Sequence, residues 1–349
     1  MKKVTVFYNN KGGVSKTTTL YNVGVYLAKE LGRKTLLVDC DPQCNLTEIS
    51  LASMTTAWSD VALGTSIYKA LLPRFNGDTA KPDVSKVELV QSELYENLWI
   101  LPGDFELSLA EPYFASAVDR AITENIHEKN NYLALRRLFT GLANAHDFDH
   151  ILVDVGPSSG SLTRMAFLSS DQFVMPTTPD RFCNQAVSVL GKLIAAWTKR
   201  NGEIVSTFEA FNLEALEGKP VFLGAVSQNF KAVAGRTKES YRRWELEIAK
   251  NIRRIFMEQS EAVLPIGNAI KSGGTKSIQP YIAKIKDVGP LAPTAQMFGR
   301  AIFDLHKQHS EYASSTGQKY YGAVWQTWED RMQEYRKEMK RIAGAIENG

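Results

Sequence analysis

Short apolar runs recur along the chain and alternate with segments of helical periodicity. The first run, Lys3 to Tyr8, precedes a glycine-containing turn and a predicted helix from about Thr17 to Leu31, which stops at Gly32. Five further runs predict strands at 34–38, 98–101, 150–153, 172–175 and 221–226. Strands that alternate with helices are joined by right-handed crossovers. We therefore expect an α/β fold with a doubly wound, mostly parallel sheet flanked by helices.

Two parts of the chain depart from this alternation. Residues 52–96 have no sustained period, which predicts an insertion of loops and short helices. Ser314–Gly317 is a candidate linker between a main domain, 1–313, and a C-terminal helix within 318–349. Apolar residues spaced by three or four make that helix amphipathic, so we expect it to pack on the core or on a partner. The apolar positions are Trp328, Met332, Tyr335, Met339, Ile342 and Ile346.

Composition excludes several classes of protein. The 349 residues are 44% hydrophobic and 23% charged, as in an ordinary globular protein with one main core. No apolar stretch approaches the roughly 20 residues of a membrane span, and no signal peptide is evident, so a cytoplasmic protein is expected. Cys40, Cys44 and Cys183 form no CxxC pair, which predicts reduced thiols and no metal–sulfur site.

The turn after the first strand has the composition of a phosphate-binding loop, Lys11–Thr17. In such loops, backbone N–H groups at a helix N-terminus bind phosphate oxygens, a lysine neutralises the phosphates and a hydroxyl binds Mg²⁺. Lys16 and Thr17 suit the last two roles. The general pattern GxxxxGK[ST] fails, however, because Asn10 and Ser15 stand where it requires glycines.

The loop instead fits the deviant pattern KGGxxK[ST], and with it the chain resembles the ParA/MinD family of ATPases, especially ParA-type partition proteins. The resemblance covers roughly residues 1–310. It implies a P-loop NTPase fold that binds ATP and Mg²⁺ and hydrolyses ATP weakly, under stimulation by a partner. Ser15 departs from the glycine commonest in the family, and its Cβ restricts the backbone. The implied nucleotide contacts are Gly12, Gly13, Val14, Ser15, Lys16, Thr17 and Thr18.

Two aspartate positions extend the resemblance. Asp39–Asn45 is similar to the family segment DxDPQGN, in which the second aspartate orients the attacking water, so Asp41 is the candidate catalytic residue. Asp39 could act through Mg²⁺ or through structure. Asp154 ends an apolar strand, as a Walker B aspartate does, and is the predicted metal ligand together with Thr17. Buried or turn-capping aspartates are the alternative interpretation.

Lys11 carries the most specific implication. In the family this lysine reaches across an ATP-bound dimer to the partner's nucleotide, so we expect an ATP-dependent homodimer with Lys11, Lys16 and Asp41 as its catalytic residues. A solvated lysine beside a turn is the alternative. Family members contact adenine with a polar residue just after the strand at 221–226, which makes Gln228 and Asn229 the candidates, although loop polarity explains them equally well.

Positive charge is concentrated in residues 231–286, which hold twelve Lys or Arg against five Glu. Clustered positive charge suits non-specific binding to a phosphate backbone, although helical charge runs are more often solvated faces. The family resemblance favours DNA binding, at the nucleoid, by a switch that segregates plasmid or chromosomal DNA or positions another cargo. Its partner would be a centromere-binding or cargo-adaptor protein. The candidate DNA contacts are Arg236, Lys238, Arg242, Arg243, Arg253 and Arg254.

Two alternatives belong to other classes. A MinD-like, membrane-cycling division regulator would use the C-terminal helix as its anchor. The polar face of that helix is nearly charge-balanced and its apolar stripe is narrow, which favours packing instead. A metallocluster carrier of the same superfamily would need a cysteine pair at a dimer interface, and the sequence offers none.

Overall fold

The computed structural model describes residues 2–54, 64–230, 232–233, 236–237, 239–258, 264–271 and 280–349. Side chains are not described at 229, 230, 232, 233, 236, 237, 269 and 271.

One sheet of eight strands forms the centre of the described part. The strands in chain order are β1 (Lys3–Phe7), β2 (Thr35–Cys40), β3 (Val90–Gln91), β4 (Leu98–Leu101), β5 (His150–Val155), β6 (Gln172–Thr177), β7 (Val221–Phe230), β8 (Ala232–Val233), β9 (Arg236–Thr237) and β10 (Tyr281–Lys286). The order across the sheet is β10-β7-β6-β1-β5-β2-β4-β3, while β8 and β9 pair separately. All neighbours in the large sheet are parallel except β3, which runs antiparallel to β4.

Helices cover both faces of this sheet. They are α1 (Lys16–Val25), α2 (Asn45–Leu51), α3 (Ile67–Phe75), α4 (Glu111–Arg120), α5 (Ile126–Tyr132), α6 (Ala134–His146), α7 (Ser161–Leu168), α8 (Arg181–Val205), α9 (Glu239–Ile252), α10 (Asn268–Lys271), α11 (Leu291–Met297), α12 (Ser310–Ala313) and α13 (Gly322–Asn348). Residues of α3 to α9 share one apolar core, and residues of α1, α2, α11 and α13 share the other. The predicted doubly wound α/β fold is confirmed.

The sequence missed two edge strands. β10 alternates buried residues with the lysines Lys284 and Lys286, so it lacks the continuous apolar run of the central strands. β3 lies inside the expected insertion, 52–96, and contributes only two residues to the sheet. Part of the insertion is therefore an extension of the sheet, accompanied by α3.

The C-terminal helix α13 packs against α1 and β10. All six apolar positions of its predicted stripe are buried, and they belong to the same core as α1. Ion pairs join its polar flanks to neighbouring elements, among them Arg336 with Glu30, and Arg33 with Glu347 at 2.6 Å. Among the described residues, no helix combines the length and the apolar character needed to cross a membrane.

Candidate nucleotide site

The phosphate loop leaves the carboxyl end of β1, in the interior of the sheet. Asn9 anchors its start, because the Asn9 side-chain N–H donates to the Pro176 carbonyl at 2.8 Å while Oδ1 accepts from the Lys11 N–H at 3.0 Å. Gly13 has φ of +69°, a conformation that glycine adopts at little cost. The loop then passes directly into α1, whose first residue is Lys16. The first N–H groups of a helix have no partner within the helix, so this helix N-terminus is a suitable anion site.

Ser15 and Cys44 have left-handed backbones at the starts of α1 and α2. Their φ is +56° at both positions. The two other described non-glycine residues with positive φ are Asp147 and Asn212, which belong to types that tolerate this conformation. Each of the two loops therefore has a backbone conformation that glycine adopts most easily, although Ser15 and Cys44 both carry a Cβ. Conformational strain of this kind is characteristic of functional sites.

Lys16 is almost fully buried at the start of α1. Burial lowers the pKa of its ammonium, whereas the carboxyl groups of Asp154 and Asp41 raise it. The Lys16 ammonium lies 3.4 Å from the Lys11 carbonyl oxygen, within the concave side of the loop. A buried cation at this place is suited to binding a phosphate group.

Thr17 and Asp154 come together as the Mg²⁺ hypothesis requires. Thr17 Oγ1 donates to Oδ2 of Asp154 at 2.7 Å. Asp154 is fully buried at the carboxyl end of β5, and burial raises the pKa of its carboxyl group. Its Oδ1 is buried and without a hydrogen-bond partner within the described part of the chain. A hydroxyl beside a carboxylate oxygen in need of a partner fits a hard cation such as Mg²⁺.

Asp39 and Asp41 have different surroundings. Asp39 accepts hydrogen bonds from the Thr47 N–H at 2.8 Å and from Thr47 Oγ1 at 2.7 Å. Burial raises its pKa to about 6, and these hydrogen bonds oppose the rise. Asp41 lines the cavity in front of the phosphate loop. A Cβ atom at position 156 would lie 3.1 Å from its Oδ1, so Gly156 leaves that carboxylate room. Asp39 holds its own loop together, and Asp41 faces the cavity.

The cavity has a volume of about 730 Å³, within the range of small-molecule sites. Residues 12–18 form one wall. The far wall is formed by Pro293, Gln296 and Met297 of α11 and by Tyr312 of α12. Met297 and Tyr312 are 50% and 53% exposed although both are large and apolar. Sequence reasoning missed this wall, because its residues follow the phosphate loop by nearly 300 positions and match no motif.

The fully buried Asp154 does not itself line this cavity, and three further predicted residues lie outside it or outside the described side chains. Lys11 donates to Thr178 Oγ1 at 2.7 Å and is paired with Asp180. Gln228 is buried and donates to Thr19 Oγ1 of α1, behind the phosphate loop. The side chain of Asn229 is not described. The adenine contact of Gln228 or Asn229 stays a prediction.

Several cations in the described part of the basic segment form ion pairs with glutamates. Arg242 and Arg243 are exposed on α9, and both pair with Glu239, at 2.8 and 3.3 Å. Arg254 is also exposed, and Arg253 is half-buried. The side chains of the two remaining candidates, at 236 and 238, lie outside the described residues.

A family model described as an AAA domain, AAA_31, matches residues 2–206, more than half of the chain. The chain belongs to this family. The resemblance to ParA/MinD ATPases is confirmed as well, since the curated relatives of this AAA-domain chain include two Soj proteins. One is the sporulation initiation inhibitor protein Soj of Bacillus subtilis, and the other is the chromosome-partitioning ATPase Soj of Treponema pallidum.

Both Soj proteins are 30% identical over 190 residues, which is 54% of this AAA-domain chain. The match spans 64% and 62% of their own lengths, less than two thirds of each. Among solved structures, apo McdA from Cyanothece has a TM-score of 0.59 at 16% identity, covering 99% of this chain and 100% of that one. Cobyrinic acid a,c-diamide synthase from Mycobacterium smegmatis, with bound ADP and magnesium, has a TM-score of 0.50 at 26% identity and covers 72% and 82%.

Proposed function

We propose that this chain is a ParA-like ATPase that acts as an ATP-dependent dimerising switch. The observation that carries the proposal is the convergence of Lys16, Thr17 and Asp41 on one cavity in front of the phosphate loop, with the buried Asp154 hydrogen-bonded to Thr17. These are the cation, the metal ligands and the carboxylate that phosphoryl transfer from ATP requires. The ADP and magnesium bound to the related synthase support the same pair of ligands here.

Each residue has a separate task in the proposed reaction. The N–H groups of residues 12–17 and the Lys16 ammonium bind the phosphates. Thr17 and Asp154 would hold Mg²⁺, which would supply positive charge to the bound phosphates. Asp41 orients the attacking water, and Gly156 keeps space beside its carboxylate. The far wall, with Met297 and Tyr312, contacts the base of the nucleotide.

Dimerisation completes the site. Lys11 lies at the entrance to the phosphate loop but outside the cavity of its own chain. In the proposed dimer its ammonium reaches the partner's nucleotide and adds positive charge in trans. Hydrolysis removes the phosphate that this charge binds, so the two copies then separate.

The cellular role follows from the relatives. The name of the chromosome-partitioning ATPase Soj supports a role in segregating plasmid or chromosomal DNA. We infer a cytoplasmic, nucleoid-bound protein whose ATP dimer binds DNA without sequence preference. A centromere-binding or cargo-adaptor protein stimulates its ATPase. A MinD-like anchor at α13 is disfavoured because the apolar stripe of that helix is buried against α1 and β10.

DNA binding is tested by measuring affinity for arbitrary duplex DNA over a salt series, with ATP and with ADP. We expect binding with ATP that weakens steeply as salt rises, because phosphate contacts release counterions. The double variant Arg242→Ala/Arg243→Ala should reduce the salt slope by about 2. The matched control is Lys340→Ala, an exposed lysine on α13, which packs on the opposite face of the sheet. Absence of ATP-dependent binding at low salt would refute the nucleoid role.

A further inference from the structure

The loop between β5 and α7, residues 156–160, forms part of the wall beside Asp41. Pro157 of this loop lines the same cavity as Asp41. A Cβ atom at position 156 would lie 3.1 Å from the Asp41 Oδ1 atom, so the Asp41 carboxylate lies directly against the backbone of the loop. Residues 157–159 are exposed. A shift of this loop would therefore change the space around the Asp41 carboxylate.

Glu111, the first residue of α4, holds the end of this loop. Its two carboxylate oxygens accept from the N–H groups of Ser161 and Leu162, the latter at 2.9 Å. These two residues begin α7, whose N-cap residue, Gly160, supplies no side-chain cap. A carboxylate is favoured at such a place, because the first N–H groups of a helix need partners and carry partial positive charge. Glu111 therefore caps α7 from another helix, 50 positions earlier in the chain.

Gly160 makes room for the Glu111 carboxylate. A Cβ atom at position 160 would lie 2.5 Å from Oε1 of Glu111, which is closer than side-chain carbons approach an oxygen. The backbone of Gly160 has φ of −70° and ψ of 176°, a conformation that any residue adopts. The contact with Glu111, and not the backbone conformation, therefore accounts for a glycine at this position.

Tyr8, the residue after β1, holds the middle of the same loop. Its hydroxyl donates to the Ser158 carbonyl at 3.0 Å. Its buried ring packs against Phe167 and Trp197, with ring centroids 5.9 Å apart in both pairs. The loop is thus attached to β1 through Tyr8 and to α4 through Glu111.

We propose that Glu111 is a positioning residue for ATP hydrolysis, because its hydrogen bonds to the start of α7 fix the loop 156–160 against Asp41. This inference rests on the proposed role of Asp41. Glu111 is not among the residues that line the cavity, so it acts through the loop and not on the nucleotide. A misplacement of about 1 Å that originates far from the chemistry can lower a rate about 100-fold. Glu111 should therefore affect the turnover number and not the affinity for nucleotide.

Glu111→Gln tests this role. The variant keeps the length of the side chain but replaces one accepting oxygen by an amide donor, which would face a backbone N–H. We expect kcat at saturating ATP to fall about tenfold, whereas the ADP affinity measured by calorimetry should change less than about twofold. The matched control is Glu106→Gln, an exposed glutamate five residues earlier, which should leave both values unchanged.

A double variant separates positioning from capping. In Glu111→Ala combined with Gly160→Ser, the serine can cap α7 locally, in the space that the glutamate side chain leaves. We expect the double variant to recover the unfolding temperature that Glu111→Ala loses, but not the rate of hydrolysis, because the attachment to α4 is still missing. Recovery of the rate together with the stability would show that Glu111 only caps the helix, and would overturn the proposal.

Hydrogen exchange of the nucleotide-free protein tests the contact independently of activity. Peptides that span 156–168 should exchange several-fold faster in Glu111→Gln than in the wild type, whereas peptides from α13 should not change. An unchanged kcat in Glu111→Gln, or a tenfold loss of ADP affinity, would contradict the proposed role. If the wild type hydrolyses no ATP, the proposed function fails, and the exchange rate alone decides whether Glu111 fixes the loop.

Discussion

The loops at the carboxyl ends of β1, β2 and β5 differ sharply from the layer that α13 forms on the sheet. The loops contain left-handed backbone at Ser15 and Cys44, the buried cation of Lys16 and an Asp154 oxygen that has no hydrogen-bond partner among the described residues. The α13 layer instead buries a regular apolar stripe and pairs its charged flanks with neighbouring elements. One region carries features that cost stability, and the other supplies packing that offsets them.

The largest expected effect is on the stability that the packing of α13 supplies. Ile342 is fully buried in α13, so Ile342→Ala leaves a cavity and should lower the free energy of unfolding by about 2–5 kcal/mol. Urea unfolding measures the change. Lys340→Ala, two residues away and exposed, should change it by less than about 0.5 kcal/mol. Equal effects of the two variants would mean that α13 contributes little to the core.

An intermediate effect is expected at the far wall of the cavity. Tyr312→Ala removes an aromatic surface from the proposed base site and should weaken ADP binding about tenfold, or about 1.4 kcal/mol, without altering unfolding. Calorimetric titration of the monomer with ADP measures this affinity. Phe182→Ala is the matched control, because Phe182 is an exposed aromatic, at 73%, outside the cavity. An unaltered ADP affinity in Tyr312→Ala would mean that the base of the nucleotide does not bind at Tyr312.

The smallest effect concerns backbone strain. Ser15→Gly should relieve the cost of positive φ, about 1–2 kcal/mol, but glycine loses more entropy on folding. The net stabilisation should be about 0.5 kcal/mol. Ser15→Ala keeps the Cβ and should give no gain. Differential scanning calorimetry of the nucleotide-free protein measures the stability of the wild type and of the two variants. A glycine variant that is less stable than the wild type would show that the backbone at position 15 is not strained.

The sequence predicted the parts of the molecule that depend on local pattern. β1 and β5 are mostly apolar runs, and the phosphate loop is a contiguous motif, so both could be found without a structure. β10 was not predicted, because Lys284 and Lys286 interrupt its apolar pattern at the edge of the sheet.

Contacts between distant segments could not be predicted in the same way. Lys11 and Asp180 are 169 residues apart, and only the adjacency of β1 and β6 brings their loops together. The far wall of the cavity depends in the same manner on tertiary packing, because α11 and α12 contact each other and line the cavity together with residues of α2. Motifs therefore identified the phosphate loop, while tertiary packing determines the far wall of the cavity and the partner of Lys11.

Light scattering of the Asp41→Ala variant with ATP tests most directly whether ATP joins two copies through Lys11. This variant should bind ATP without hydrolysing it, so the dimer should accumulate. We predict a dimer with ATP, a monomer with ADP, and a monomer with ATP once Lys11→Ala is added. A monomer in all three samples, or a dimer that persists without Lys11, would contradict the proposed switch.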